Sequence, residues 1–400
     1  MRDSQPLWTR RMSGIVQLRL PLPFALKWVN AYLLRGEEGW TVVDPGLRTE
    51  ESEAAWEIVM DELGIGWSDI GRIVLTHYHP DHYGLAGWLQ SRTGAEVYLS
   101  ETAALYAHRL WGEGETFSAS LAGAFRAHGL PETLSGGVLA HLESVKRQVL
   151  PHPARTRIIR AGDKLSFGGA EWEAVGGEGH APGHLAFYDR DRRMMLCGDQ
   201  VLPDITPNIG WMPDGDPDPL GSYLSSLARM AAIEVDTAFP GHREPFAEYG
   251  RRVAELRDHH ARRLARMAEL AEELAIRSAD TSDAGDARAV AATVDAASAG
   301  AASMDQASVG AASMDQASAG AASMEASVRM NAAGSAGRFQ SFAMCETLFG
   351  ERVLGNPHNL RFAMAETIAH LERMALSGML IRETEPASAG GQVYYRPTEG

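Results

Sequence analysis

Short apolar runs separated by turn residues open the chain. Between residues 15 and 43 the runs IVQLRL, NAYLLR and WTVVD are separated by Pro21, Pro23 and the turn sequence RGEEG, a pattern typical of antiparallel strands. After them, ESEAAWEIVMDELG has helical spacing and ends at Gly64, and RIVLTH is a short apolar strand. The pattern predicts an α/β fold in which an antiparallel opening is followed by alternating strands and helices.

A helical stretch between residues 101 and 157 interrupts this alternation. It carries apolar and aromatic residues at helical spacing, and we expect a lid-like insertion. Strands resume in TRIIRAGDKLSFGGAEWEAVGG, LAFYDRDRRMMLCGD and VDTAFPGH, and residues 247–277 have the pattern of a long helix without proline. We expect this helix to close a first domain spanning residues 1–277.

The segment 278–337 differs in composition from the rest of the chain. Ala, Ser and Gly dominate it, and AASMDQASVG is followed by the near-identical AASMDQASAG. A repeat this short, with almost no large apolar residue, cannot bury a core, so we expect a flexible linker. Residues 338–400 regain a globular pattern of helix, helix and two strands around a Gly-rich turn, which predicts a small winged-helix domain.

Four residues of metal-ligand type lie within six positions at the end of the run RIVLTH. They are His77, His79, Asp81 and His82. Because alternate residues of an extended segment share a side, such a loop can direct His77 and His79 to one point and Asp81 and His82 to another. Imidazole and carboxylate together suit zinc, with iron or manganese as alternatives, rather than calcium.

Three further ligand-type residues stand where later strands end. They are His180 in GEGHAPGHL, Asp199 in MMLCGDQ and His242 in AFPGHREP, positions at which polar groups can converge on a rigid sheet. Over roughly residues 15–250, the motifs HYHPDH, GHAPGH, LCGD and FPGH resemble the metallo-β-lactamase superfamily. The resemblance implies an αββα sandwich with two divalent metal ions. The implied ligands are His77, His79 and His180 for the first ion, Asp81, His82 and His242 for the second, and Asp199 between them.

The resemblance also implies supporting residues. His184 matches the second His of the family's GHxxGH pattern and is expected to contact a ligand rather than a metal. Asp44, in VVDPG, matches a recurrent early motif with a supporting role. Asp81 has a second oxygen that can orient a nucleophile or pass a proton, so Asp81 and His184 are the candidate catalytic residues. The bridging Asp199 is typical of the glyoxalase II-like, lactonase-like and RNA-processing branches, which disfavours antibiotic hydrolysis.

Two metal ions that share a water lower its pKa, so that hydroxide bridging them is available near neutral pH for hydrolysis. The leading hypothesis is hydrolysis of a small thioester, ester or lactone, as in glyoxalase II-like members. The insertion carries six basic and five acidic residues and is nearly neutral, whereas a phosphate-binding surface would be more basic. We expect four aromatic residues of the insertion to cover the metals: Tyr106, Trp111, Phe117 and Phe125.

Two other functions remain as alternatives. A metallo-β-lactamase domain followed by a winged helix resembles a set of proteins that includes a mitochondrial endoribonuclease, so a nucleic-acid phosphodiesterase is the second hypothesis. The charge disfavours it, because residues 338–400 carry six Arg against seven Glu and nucleic-acid-binding modules are usually basic. A third hypothesis is a metal-containing regulator with a DNA-binding winged helix. We favour a packing or dimerisation role for the winged helix, and hence a possible homodimer.

Composition bears on the compartment. The formal net charge is −15, which favours solubility and repels polyanions at long range. Cys197 and Cys345 are the chain's two cysteines, so no disulfide framework is implied. No apolar run approaches the ~20 residues of a membrane span, and the N-terminus lacks the pattern of a secretory signal. We therefore expect a cytoplasmic protein without membrane association.

Overall fold

The computed structural model describes residues 7–114, 116–295 and 337–398. Most of the predicted repeat linker, residues 296–336, lies outside the described residues. Within the described part, no helix combines the length and the apolar character needed to cross a membrane.

Seven strands form the first sheet and lie in it in chain order. The first four pair antiparallel; the later strands pair parallel, because helical crossovers separate them. These strands are β1 (Trp8–Arg10), β2 (Val16–Pro21), β3 (Trp28–Gly36), β4 (Gly39–Val43), β5 (Ile70–Val74), β6 (Glu96–Ser100) and β7 (Thr156–Ile159).

Five strands form the second sheet, in the order β12-β11-β10-β9-β8. Strands β8 to β11 pair antiparallel, and β12 runs parallel to β11 because a helix connects the two. They are β8 (Lys164–Phe167), β9 (Ala170–Gly177), β10 (His184–Asp189), β11 (Met194–Gly198) and β12 (Thr237–Pro240).

Helices cover the outer faces of both sheets. Apolar side chains of the two sheets, such as Leu34 and Phe187, form a core between them. The helices are α1 (Glu50–Leu63), α2 (Pro80–Tyr83), α3 (Ala86–Thr93), α4 (Glu101–Trp111), α5 (Phe117–Ala127), α6 (Glu132–Lys146), α7 (Pro219–Met230), α8 (Tyr249–Asp295), α9 (Ser341–Phe349), α10 (Glu351–Leu354) and α11 (Pro357–Leu376).

Two separate outer cores complete the layers. Trp56 of α1 and Leu89 of α3 pack on the first sheet, and Tyr223 of α7 and Val253 of α8 pack on the second. Gly64 ends α1 in the left-handed conformation, with φ 65°, where glycine carries no steric penalty. The predicted αββα sandwich is confirmed.

Three helices, α4 to α6, lie between β6 and β7, where the insertion was predicted, and β7 begins at Thr156. The expectation that its aromatic residues cover the site is wrong for three of the four. Trp111, Phe117 and Phe125 are buried in the core on the outer face of the first sheet. The physical reason is that both sides of the insertion are covered, since residues of α11 belong to the same core.

The long helix α8 continues to Asp295, beyond residue 277, where we expected it to end. The residues after 277 include many alanines, and alanine has the highest intrinsic helix propensity. A composition that we interpreted as a linker therefore also favours helix at its start.

The C-terminal segment consists of α9, α10, α11 and a two-stranded hairpin, β13 (Leu380–Thr384) and β14 (Val393–Pro397). It shares its core with the rest of the chain. Met267 and Leu270 of α8 pack with Leu371 of α11 and Tyr395 of β14. On its other side, α11 contributes Leu360 to the core of the insertion helices. Through these contacts α11 reaches the loops at the end of the sandwich where the candidate site lies.

Candidate metal centre

The seven predicted ligands come from loops and a short helix at the same end of both sheets. His77 and His79 follow β5, and Pro80 then starts the four-residue helix α2 that carries Asp81 and His82. A proline in the first turn fits this helix because its missing N–H would have no partner there. The remaining three residues, His180, Asp199 and His242, lie in the loops that follow β9, β11 and β12.

Two groups of three side chains, each made up entirely of predicted ligands, could each hold a metal ion. In the first, the ligand atoms of His77, His79 and His180 lie within 4.8 Å of one another. In the second, those of Asp81, His82 and His242 do so.

Asp199 lies between these groups. Its Oδ2 is 3.7 Å from Nε2 of His180 and 3.3 Å from Nε2 of His242, and its Oδ1 is 3.4 Å from Nε2 of His82. One carboxylate therefore reaches both groups.

Unsatisfied buried atoms test whether these residues fit metal ions. Nε2 of His77, His82 and His180 and Oδ1 of Asp199 are buried without a hydrogen-bond partner. Buried polar atoms are normally paired, so four such atoms around one point indicate that a ligand completes the site. Neutral imidazole nitrogen and carboxylate oxygen are suitable donors for a divalent transition metal, and the residues therefore fit the predicted ions.

The other ring nitrogens of the histidines have fixed partners. Nδ1 of His180 donates to the carbonyl oxygen of Asn208 at 2.8 Å, and Nδ1 of His242 donates to that of Trp28 at 3.1 Å. A proton held on Nδ1 leaves the Nε2 lone pair free toward the centre. The sequence contains no signal for Asn208 or Trp28, because each acts through its backbone.

Asp44 supports two histidines at once. Its carboxylate accepts hydrogen bonds from Thr76 N and Thr76 Oγ1, at 2.8 and 2.6 Å, and from Nδ1 of His82 at 2.9 Å. Thr76 Oγ1 in turn accepts from Nδ1 of His77 at 2.9 Å. Asp44, His77 and His82 also form a geometric group of ligand type, but these bonds engage both oxygens of Asp44, so we assign it a supporting role. Thr76 was missed in the sequence, although it directly precedes His77.

His184 lies behind Asp199. Its Nε2 accepts a hydrogen bond from the backbone N of Asp199 at 3.3 Å, and His184 is absent from the ligand groups found among the described residues. Its position fits the predicted supporting contact. Burial lowers the pKa of His184 to about 3, so the ring is neutral near pH 7.

Two glycines allow this packing. A Cβ at Gly198, which has φ 50°, would lie 2.6 Å from Nε2 of His184. A Cβ at Gly241 would lie 2.2 Å from Oδ1 of Asp199 and 2.5 Å from Cε1 of His82. All three distances are shorter than real Cβ contacts, so the glycines of LCGD and FPGH are required by close approach to the site.

The electrostatics of the second group favour positive charge. Burial alone lowers the pKa of His242, but the carboxylates of Asp199 and Asp81 reverse this and raise it to about 10. For Asp199, burial acts to raise the pKa, and the stronger combined influence of His242 and His82 lowers it well below its ordinary value. The negative potential that favours a proton on His242 equally favours a metal cation there.

Tyr78 links the site to the insertion. Its ring stacks on that of Tyr106, with centroids 5.3 Å apart and an interplanar angle of 22°. Its carbonyl oxygen accepts a hydrogen bond from Nε1 of Trp111 at 3.2 Å. Trp111 thus supports the backbone between His77 and His79 from the core, while the half-buried Tyr106 lies nearer the surface.

Two family models match the chain. A family model described as the metallo-beta-lactamase superfamily matches residues 29–242, more than half of the chain. A second model, described as a metallo-beta-lactamase-like C-terminal domain, matches residues 332–394.

Three of the relatives that the chain matches are hydrolases by name. The chain is 29% identical to "Probable metallo-hydrolase YqjP" of Bacillus subtilis (strain 168), over 58% of this chain and 72% of that protein. It is 25% identical to acyl-coenzyme A thioesterase MBLAC2 of Gallus gallus, over 53% of this chain and 72% of that one. Identity to hydroxyacylglutathione hydrolase of Pseudomonas fluorescens is 24%, over 49% of this chain and 52% of that enzyme, about half its length.

Two solved structures match almost the whole chain. A metallo-beta-lactamase family protein from Thermus thermophilus has a TM-score of 0.72 and 28% identity, covering 97% of this chain and 99% of that one. A beta-lactamase domain protein from Burkholderia ambifaria has a TM-score of 0.73 and 27% identity, covering 99% and 97%. The chain belongs to the metallo-beta-lactamase superfamily and is a metal-dependent hydrolase.

Proposed function

We propose that the protein is a binuclear enzyme that hydrolyses a small thioester, ester or lactone. The observation that carries the proposal is the pair of ligand groups joined by Asp199, with four buried donor atoms that lack partners. Two relatives of the chain are named as a thioesterase and a hydroxyacylglutathione hydrolase, and these names support a carbonyl substrate.

The ligands would divide as the geometry suggests, and zinc is the metal we propose. Bound divalent ions supply Lewis acidity that polarises a carbonyl oxygen and makes water nucleophilic near neutral pH. His77, His79 and His180 would hold one ion, Asp81, His82 and His242 would hold the other, and Asp199 would contact both.

The chain's own groups would orient the reaction. Asp81 is the one carboxylate of the second group, and its side chain is 20% exposed, so it can accept a hydrogen bond from an attacking water or receive its proton. His184 would act as a positioning residue, since it holds the backbone N of Asp199. Asp44 would keep His77 and His82 in their orientations through Thr76 and its own carboxylate.

The paired charges of the C-terminal segment disfavour the alternative of a nucleic-acid phosphodiesterase. Arg382 pairs with Glu372 at 2.8 Å, Arg396 with Glu383 at 2.7 Å, and Arg338 with Glu385. Arginines engaged by neighbouring glutamates are poorly available to phosphates, on which nucleic-acid affinity depends.

We propose that the C-terminal segment, in which three helices precede a two-stranded hairpin, is a winged helix and acts as a packing module rather than a DNA-binding one. Its helix α11 contacts the loops of the metal centre, as in the backbone hydrogen bond from Trp211 N to Ala365 O at 3.0 Å. The two cysteines are free and buried, which supports the proposed reducing, cytoplasmic compartment.

A substrate panel tests the proposed function. Zinc-, iron- and manganese-loaded protein would be assayed on aryl thioesters, aryl esters, lactones, bis-aryl phosphodiesters and single-stranded RNA, with Asp199→Asn as the inactive variant. Asp163→Asn is the control, because this carboxylate accepts from Arg160 N in an exposed loop. We expect carbonyl substrates to be hydrolysed by the native protein and the control, and not by Asp199→Asn. RNA cleavage without carbonyl hydrolysis would reverse the assignment.

A further inference from the structure

One face of the C-terminal helix α11 lies against the metal-binding loops. His358, Arg361, Phe362 and Ala365 are spaced i, i+3, i+4 and i+7, so they share that face. The carbonyl oxygen of Phe362 accepts a hydrogen bond from Nδ2 of Asn208 at 3.3 Å, and the carbonyl oxygen of the same Asn208 accepts from Nδ1 of His180. Two hydrogen bonds therefore connect the helix to a ligand of the first group.

Arg361, on this face, lies near the second group. Its electrostatic neighbours are Asp81 and Tyr78, and its guanidinium carbon lies 4.0 Å from the ring centroid of Phe362. The Nε atom is buried and lacks a hydrogen-bond partner. Burial lowers the pKa of Arg361 to about 10, so the side chain keeps its positive charge near pH 7.

The two arginines of α11 differ in their ion pairing. Arg373 pairs with Asp218 at 2.7 Å, whereas Arg361 forms no ion pair with any carboxylate in the described part of the chain. Asp81 is the carboxylate whose charge acts on Arg361, and that charge would be committed to a metal ion. The buried Nε of Arg361 has no hydrogen-bond partner, and leaving a buried polar group unpaired costs free energy, so the guanidinium in this position calls for an anionic partner.

The two histidines near Arg361 are neutral. Nδ1 of His358 lies 3.2 Å from Nε2 of His141, and the ring of His358 stacks on Phe24 with centroids 4.1 Å apart. Burial and the charge of Arg361 lower the pKa of His141 to about 4 and that of His358 to about 3. We call Arg361 and these three side chains, which come from α11, α6 and the β2–β3 loop, the wall. Arg361 is its positively charged member.

We infer that Arg361 is a substrate-binding residue that holds a carboxylate of the acyl group, so that the enzyme prefers acyl esters or thioesters with an anionic group near the scissile carbonyl. This inference rests on the proposed function. A planar guanidinium matches a carboxylate in a two-point hydrogen bond, which neutral residues of the wall cannot replace. The C-terminal segment would then contribute directly to specificity.

A matched pair of substrates tests the inference. The aryl monoester of glutarate and the aryl ester of butyrate have the same leaving group, and the former adds a carboxylate. For Arg361→Gln we expect kcat/KM on the glutarate ester to fall about 10- to 100-fold, mainly through KM, which is the value of a charged hydrogen bond. Hydrolysis of the butyrate ester should change less than about twofold. Arg361→Lys should recover part of the loss.

Direct binding provides a second readout. Calorimetry on the metal-loaded protein should find that Arg361→Gln weakens the binding of glutarate by a similar factor and leaves that of butyrate unchanged, because one carboxylate is common to both. Arg373→Gln is the control, because it removes a positive charge from the same helix, at the ion pair that joins this helix to the rest of the chain. It should leave the preference between the two esters unchanged.

The outcomes separate the inference from the proposed function. If native protein hydrolyses neither ester nor any carbonyl substrate, the proposed function fails. If it hydrolyses both esters and Arg361→Gln lowers both equally, Arg361 has only a structural role and the inference is overturned. The last substrate to be tested is an aryl ester with a phosphate in place of the carboxylate. A greater dependence of that ester on Arg361 would overturn the assignment to a carboxylate.

Discussion

Oδ2 of Asp44 lies 2.9 Å from Nδ1 of His82, and this contact connects an early strand of the first sheet to the second ligand group. The same oxygen accepts from Thr76 Oγ1, which holds His77. One buried carboxylate therefore fixes the ring orientation of a histidine in each group. The geometry of both candidate metal positions depends on a residue that is not itself a ligand.

The first prediction follows from this contact. Asp44→Asn keeps the shape of the side chain but removes its charge and replaces one acceptor oxygen with a donor, so the hydrogen bonds to Thr76 and His82 cannot all persist. Loss of such an outer partner typically lowers metal affinity by about 10- to 100-fold. Competition with a chelator measures the affinity. Asp163→Asn serves as the control, and equal affinities in the two variants would contradict the role of Asp44.

A second prediction uses the close approach at Gly241. Gly241→Ala should lower metal content and activity together, because the new Cβ would lie 2.2 Å from Oδ1 of Asp199. Gly250→Ala is the matched control, since nothing lies within 4 Å of its Cβ at the start of α8. Metal analysis of both purified variants is the measurement. Full occupancy in Gly241→Ala would mean that the site tolerates displacement of Asp199.

A third prediction concerns Trp111, which we expected from the sequence to cover the substrate. Because its ring is buried and its Nε1 donates to Tyr78 O, Trp111→Ala should reduce the free energy of unfolding by about 3–5 kcal/mol. Trp111→Phe should cost about 1–3 kcal/mol through the unsatisfied carbonyl. Urea unfolding measures both. A change in KM with unchanged stability would restore the original interpretation.

The fourth prediction concerns the loss of folding stability at acid pH. Nδ1 of His260 in α8 lies 3.2 Å from Nε2 of His370 in α11, and burial lowers the pKa of each from 6.5 to about 3. The unfolded chain therefore binds protons first as the pH falls. The contribution to stability is complete above pH 6.5 and is lost between pH 6.5 and 3, by up to about 1.4 kcal/mol per pH unit for each residue.

Comparison of the native protein with His370→Gln isolates this contribution, because acid effects on the metal ligands are common to both. The free energy of unfolding would be measured in urea at about pH 7, 6, 5 and 4.5. The variant should lose stability less steeply over this range. Parallel slopes would show that His370 takes up its proton in the folded state.

The convergence of the seven side chains was predictable because its signals are local. His77, His79, Asp81 and His82 are close in the sequence, and the other three residues follow apolar strands that the pattern of the chain reveals. The two sheets were predictable for the same reason, since alternation and turn residues report on backbone conformation over a few residues.

The remaining features depend on contacts between distant segments. Asn208 and Trp28 act through carbonyl oxygens, which every residue has, so no side chain marks them. In the sequence, nothing distinguishes Arg361 from any other helical arginine. Its position becomes evident only from the packing of α11 against the loop of His180. Trp111 was misassigned because a sequence with apolar residues on both faces of a helix does not reveal whether one face is open or covered by another segment.

The most direct test of the account is the number of metal ions per chain. Protein expressed with ample zinc, iron and manganese and freed of loosely bound metal would be analysed by mass spectrometry and by calorimetric titration of the metal-stripped protein. The two ligand groups joined by Asp199 predict about two ions per chain, with Asp199→Ala losing occupancy at both positions. A native protein that holds fewer than one ion per chain under these conditions would contradict the binuclear centre.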